Sequence, residues 1–215
     1  MQLIQLIIDG VASGCIYGLV ALGFVLIYKA TETINFAQGD ILMLGAFVAF
    51  SLIGVLGMNY IVGFVLTVMI IAVFGFFLDA VVVRQIIGQP AFATVMLTIG
   101  LGFIFRGFAS IYWGTDIFSF STPFSGKITE VGGLIISYVN ISIIVGTTLL
   151  MGILFAFFSF TKIGVAMRAS SENQLAAYYM GIPVKFIFSL IWSISAGVAA
   201  IAGVLLAPIT LVDTS

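Results

Sequence analysis

The chain has 215 residues, 62% of them hydrophobic and only 7% charged, with a net charge of −1. A soluble domain carries about 25% charged residues, so a water-exposed globule is excluded, and no basic tract points to nucleic acid. There is no histidine and a single cysteine, Cys15, which removes the usual metal ligand and general base and any intrachain disulfide.

Charge-free runs define the membrane-spanning elements. The first begins without the basic segment of a signal peptide, so it is expected to stay in the mature protein. Between Asp9 and Lys29 lie 19 uncharged residues, enough for one crossing of about 20. Within this span Gly10, Gly14 and Gly18 recur every four residues. Small residues in register let helix backbones approach closely. The stripe reads as packing within the chain, with a dimer contact or pore lining as the alternative.

The segment Thr33-Ile-Asn-Phe-Ala-Gln-Gly-Asp40 follows. It places Asn35, Gln38 and Asp40 within six residues. Asn35 or Asp40 is suited to cap a second helix. Two readings stay open: an ordinary interfacial turn, or a helix break of the kind that builds a substrate path.

Asp40 to Asp79 encloses 38 uncharged residues, too many for one crossing. Gly54, Gly57 and Asn59 supply a turn that divides them into two. Asp79 and Arg84 read as an ion pair at the end of the third span. Arg84 to Arg106 encloses 21 uncharged residues and gives the fourth. Arg106 either snorkels or lines a polar cavity. The loop 114–133 suits a small hairpin or a surface-lying segment.

The fifth span precedes a polar insert, 159–185, and the sixth follows it. The spans are placed near 4–28, 41–56, 60–82, 91–113, 134–158 and 186–207. In the sixth, Ser195, Ala199 and Gly203 form a second small-residue stripe. Lys29, Arg84, Lys162, Arg168 and Lys185 fall in alternate loops and Lys127 in the other set. The positive-inside rule therefore turns the insert to the cytoplasm, and the N-terminus and the 114–133 loop outward.

The insert reads as one amphipathic helix. Ser171 and Gln174 form a capping box, so the helix is expected to start near Ser171. Leu175, Ala176, Tyr179 and Met180 share one face, and Gly181 and Pro183 end the helix. So short a helix is unstable alone and needs either the membrane domain or a partner beside it. It is a surface connector or a docking helix for a soluble protein.

Four blocks carry a family resemblance. They are Gly18-Leu-Val-Ala-Leu-Gly23 running into Ile34-Asn-Phe-Ala-Gln-Gly-Asp40, then Met43-Leu-Gly-Ala46, then Thr98-Ile-Gly-Leu101, then Gly164-Val-Ala-Met-Arg-Ala169 with Asn173, Ala176, Gly181 and Ile182. In order and rough spacing the chain resembles the membrane permease of bacterial branched-chain amino acid ABC importers.

The resemblance implies an all-α polytopic transmembrane bundle, a single permease domain over 1–215, in the cell inner membrane. It implies a homologous second permease, two cytoplasmic ATPases and an extracytoplasmic binding protein as partners. A short cytoplasmic helix fits a cleft on the ATPase in such importers. That coupling role would fall on Gly164, Arg168, Ala169, Asn173, Ala176, Gly181 and Ile182. Asn35, Gln38 and Asp40 would belong to the translocation path or hold the start of span two.

Gln38 stands where the family usually has histidine, Asp40 where it has glutamate, and Gln85 where it tends to have proline. Family members also continue for several more spans, so the chain is expected to be a fragment. The expected protein is a non-catalytic transport subunit without cofactor or metal; no G-x-x-x-x-G-K-[ST] nucleotide loop is present. The expected cargo is a branched-chain amino acid, with urea or amides the alternative.

Two rivals come from other classes. An ion-coupled transporter needs carboxylates inside the membrane, and Asp9, Asp40 and Asp79 all read as lying at span ends. A membrane enzyme lacks the side chains for chemistry.

Overall fold

A computed structural model describes residues 2–86, 89–114, 118, 122–123, 128–131 and 134–208. Among the described residues six helices are long and apolar enough to cross a membrane. In chain order the elements are α1 (Gln2–Thr31), α2 (Gln38–Ala49) continued by a π-helical segment (Phe50–Val55), α3 (Tyr60–Val81) with a 3-10 turn (Val83–Ile86), and α4 (Ala91–Trp113). A hairpin of β1 (Ile128–Val131) and β2 (Leu134–Ser137) leads into α5 (Tyr138–Phe160). Then come α6 (Lys162–Glu172), α7 (Gln174–Tyr179) and α8 (Val184–Leu206).

The last span is the axis of the bundle. Trp192, Ser195, Ala196, Ala199, Ala200, Ala202 and Val204 of α8 are all fully or almost fully buried. The cause is composition: a run of Ser, Ala and Gly lets neighbours close to backbone contact, the main source of helix association in lipid. A Cβ at Gly45 of α2 would lie 2.7 Å from the Ala200 Cα, and one at Gly75 of α3 would lie 2.8 Å from the Trp192 carbonyl oxygen. A methyl at Gly203 would land on the Leu42 carbonyl. That atom is backbone and cannot swing aside, so the substitution costs roughly 1–3 kcal/mol or more.

The glycine stripe of α1 behaves differently. Gly10, Gly14 and Gly18 are exposed, and beyond the neighbouring backbone of α1 no atom of the described residues lies within 4 Å of where their Cβ atoms would be. Among the described residues, no other helix packs against this stripe. The helix buries Ala12, Ile16 and Leu19 against α5 and α8, and at 3.6 residues per turn the glycines fall on the opposite side.

Local chemistry sets the boundaries. Asn59 accepts a hydrogen bond from the Ile61 amide at 3.0 Å and starts α3, just after Gly57 takes a φ of +64°. Ser137 accepts from Val139 and starts α5 at Tyr138 rather than at 134, because β2 occupies 134–137. Lys127 and residues 209–215 lie outside the described residues.

The insert is two helices, not one. Thr161 caps α6 by accepting from the Gly164 amide at 2.9 Å, and Ser171 belongs to the last turn of α6, donating to the Met167 carbonyl at 2.9 Å. Helix α7 starts instead at Gln174, capped by Asn173, which accepts from the Ala176 amide at 2.9 Å. It ends as the glycine predicts. Gly181 has a φ of +81°; its amide donates to Tyr178 and that of Ile182 to Ala177, both at 3.0 Å. This double bond pattern is a Schellman closure.

Five of the seven Lys+Arg residues collect at one end of the bundle. Arg84 donates to the Lys185 carbonyl at 3.0 Å, Lys29 and Arg168 line one cleft, and Lys162 opens α6. Arg84 and Asp79 form the expected ion pair at 3.6 Å, and Ser189 of α8 donates to Asp79 at 2.6 Å. This clasp ties the end of α3 to the start of α8.

Candidate functional site

The first residue of α2 does not sit at the level where α1 ends. A Cβ at Gly23 would collide with the Gln38 side chain, and Gly23 precedes Thr31 by eight residues, or about 12 Å of helix. Residues 32–37 therefore climb back into the bundle before α2 begins. Such non-helical backbone inside a membrane needs partners for every polar group. The Phe36 amide donates to Thr98 Oγ1 at 3.3 Å, the Ala37 amide to Asn35 Oδ1 at 3.1 Å, and the Gln38 amide to the Asn35 carbonyl at 3.3 Å. Of the two open readings of this segment, the helix break within the bundle is the one the geometry takes. Neither Asn35 nor Asp40 caps α2; its N-cap is Ala37, without a side-chain bond.

Gln38 and Asn35 face inward and are 0% and 1% exposed. Asn35 Nδ2 donates to Gln38 Oε1 at 3.2 Å, and Gln38 Nε2 reaches the Ser195 carbonyl at 3.4 Å. Ser195 Oγ donates to the Gly23 carbonyl at 2.8 Å. One buried polar cluster thus joins α1, the start of α2 and α8. Ser195 is the twelfth of the 23 residues of α8, so the cluster lies at mid-depth.

Asp40 turns the other way, toward α4. Its carboxylate accepts from Arg106 Nε at 2.6 Å, with side chains 8% and 53% exposed respectively. A Cβ at Gly102 would strike Asp40 Oδ2; Gly102 is the twelfth of the 23 residues of α4. Asp40 is therefore at mid-depth and not at a span end. The pair backs a notch of about 190 Å³ lined by Phe36, Ile99, Gly102 and Phe103. Phe36 and Phe103 stand exposed at its rim. Two opposite charges behind an apolar rim can hold a small molecule that carries both charges and an aliphatic group.

A family described as the branched-chain amino acid transport system permease component matches residues 6–215. The chain belongs to that family. Among relatives of this permease, BraD of Pseudomonas aeruginosa, a high-affinity branched-chain amino acid transport system permease protein, is 27% identical over 94% of this chain and 70% of its own length. LivH of Escherichia coli K12, named in the same words, is 28% identical over 96% of this chain and 71% of its own. A probable LivH of Methanocaldococcus jannaschii is 29% identical over 87% of this chain and 61% of its own. No solved structure matches. The protein is a multi-pass permease of the cell inner membrane, a non-catalytic subunit of an ABC importer that works with other components.

The motif positions of the insert mostly shape α7. Gly164 packs against the Phe157 carbonyl where α5 turns into α6. Asn173 and Gly181 begin and end α7, Ile182 packs against the cluster of Ala30, Met167, Ile187, Phe188 and Ile191, and Ala169 is half-buried. Arg168 faces α1, beside Lys29. The exposed side chains are Leu175, Tyr178, Tyr179 and Met180, each about two-thirds exposed or more, and Ala177 alone of this helix is buried. Sequence reading placed Leu175, Ala176, Tyr179 and Met180 on one face but left open whether the membrane domain covers it. It does not.

Arg106, which the sequence left between two readings, is the residue that pairs with Asp40. Its carboxylate partner is 66 residues away in the chain.

Proposed function

We propose that the permease moves zwitterionic amino acids with branched aliphatic side chains inward along the surface formed by α4 and the start of α2. The observation that carries this reading is the Arg106–Asp40 pair at mid-depth, with the Arg106 side chain half exposed. A charge at that depth does not face lipid; it faces a water-filled path or another subunit. The cargo's carboxylate and ammonium match Arg106 and Asp40, and its side chain matches Phe36 and Phe103. The relatives' names point to the same cargo.

The partners we infer are a second, homologous permease facing this surface, two ATPases on the basic end and a binding protein opposite. The excess of Lys and Arg makes the basic end cytoplasmic. ATPase closure would push α7 through its exposed apolar face, in the manner of a helix in a groove. The Arg84–Asp79–Ser189 clasp joins α3 to α8 and only Ile182 and Pro183 separate the Schellman closure of α7 from α8, so the push would pass from α7 to α8 and α3. Displacement of α8 would carry Ser195, and with it Gln38 and Asp40, so that the charge pair opens and closes.

Proteoliposomes containing the permease, its partner subunits and the binding protein provide the test. Leucine uptake is expected only with ATP on the ATPase side and should be indifferent to an uncoupler. Uptake without ATP that collapses with an uncoupler would make this an ion-coupled carrier. ATP-driven uptake of urea but not leucine would replace the cargo.

A further inference from the structure

A second site lies at the basic end, away from the charge pair. α1, α5, α6 and α8 enclose a cleft of about 190 Å³. Its walls are apolar, with Val25 and Leu26 of α1, Phe158 of α5 and Ile191 of α8. Met167 and Ile191, at its base, are 1% and 3% exposed. Lys29 and Arg168 both line it and are both exposed. No acidic residue lines the cleft, and among the described residues neither cation has an ion-pair partner.

The depth of this arrangement matters. Lys29 lies two residues before the end of the membrane-spanning α1, and Arg168 is in the helix that follows directly on α5. Both cations are therefore where a membrane helix meets the lipid headgroups, with an apolar trough running from them toward the hydrocarbon. Basic pockets between membrane helices on this side recognise anionic headgroups, and each cation near the surface adds to the attraction. An exposed cation beside an apolar wall is also the geometry that holds both ends of an amphiphile.

We propose that this cleft binds an anionic phospholipid of the cytoplasmic leaflet, its phosphate between Lys29 and Arg168 and the start of an acyl chain along Val25 and Phe158. The lipid would strap α6 to α1, steadying the segment that leads into α7. The proposal rests on the membrane location and not on the cargo. It also gives Arg168 a task other than touching an ATPase.

Native mass spectrometry of the full chain in detergent, titrated with phosphatidylglycerol or phosphatidylcholine, tests it. The wild type should retain phosphatidylglycerol on the order of tenfold better or more, as expected for two surface cations. K29Q and R168Q should each weaken that preference, and the double variant should erase it. K162Q, which changes a cation of the same end outside the cleft, should keep it. These substitutions replace exposed side chains, and unchanged elution on size-exclusion chromatography would show that the fold is intact. Equal preference in the wild type and the double variant would overturn the proposal, as would equal loss in K162Q. So would retention of inorganic phosphate as tight as that of the lipid, which would make the cleft a small-anion site. Loss of ATPase association in R168Q with lipid retention unchanged would make Arg168 a partner contact instead.

Discussion

Arg106→Leu is expected to lower ATP-driven leucine uptake at least tenfold while leaving the protein in the membrane. The substitution strands the Asp40 carboxylate, whose side chain is 8% exposed, without its countercharge at mid-depth. A lone charge at a helix centre costs about 2.5–3.5 kcal/mol, and Arg106 is itself half exposed, so the stability loss should fall at or below the lower end. Asp40→Asn strands the opposite charge, which can reach water, and should cost less stability but as much transport. The double variant Asp40→Asn/Arg106→Gln separates the two roles. It removes both charges, so its thermal stability should return close to wild type while uptake stays low. Uptake restored along with stability would mean that the pair only holds α2 to α4.

The second large effect is expected at α7. Leu175→Asp/Tyr179→Asp should abolish co-purification with the ATPase and ATP-driven uptake without changing the melting temperature. Both side chains are exposed, at 69% and 82%, whereas truncation of a hot-spot anchor at an interface costs about 2 kcal/mol or more. A charge inserted there costs at least as much, a loss of roughly thirtyfold in association from one residue. Ala177→Asp serves as the contrast. Ala177 is 4% exposed, so that variant should lose α7 itself and melt earlier. Wild-type ATPase association in the Leu175→Asp/Tyr179→Asp variant would remove α7 as the point of contact.

The elements that local chemistry decides were legible from the residues. Charge-free runs of the right length gave all six membrane helices, Asn59 and Gly57 marked the turn before α3, and Gly181 closed α7 in the left-handed conformation. Local rules misled where two of them competed. Ser171 has a capping-box partner in Gln174, but it already lies in the last turn of α6, and Asn173 caps α7. The glycines of α1 have packing spacing, yet the larger apolar row Ala12, Ile16 and Leu19 decides which side of α1 is buried. Depth was the least legible property. Counting along the chain puts Asp40 at a span end; only the return of 32–37 into the bundle, held by Thr98 and Asn35, puts it at the middle. Its pairing with Arg106 and that of Gln38 with Ser195 join residues 66 and 157 positions apart. No short-range pattern encodes such contacts.

The reading depends on which medium touches the α4 surface around Arg106. Cys15 is the only cysteine, so Cys15→Ala gives a clean background for single cysteines at Phe36, Phe103 and, on the exposed flank of α5, Phe155. In vesicles of the assembled transporter, a membrane-impermeant methanethiosulfonate should modify Phe36→Cys and Phe103→Cys, at a rate that changes when ATP is added, and leave Phe155→Cys untouched. Phe36→Cys and Phe103→Cys as inert as Phe155→Cys in every nucleotide state would show that the surface meets lipid, and the charge pair would then line no path.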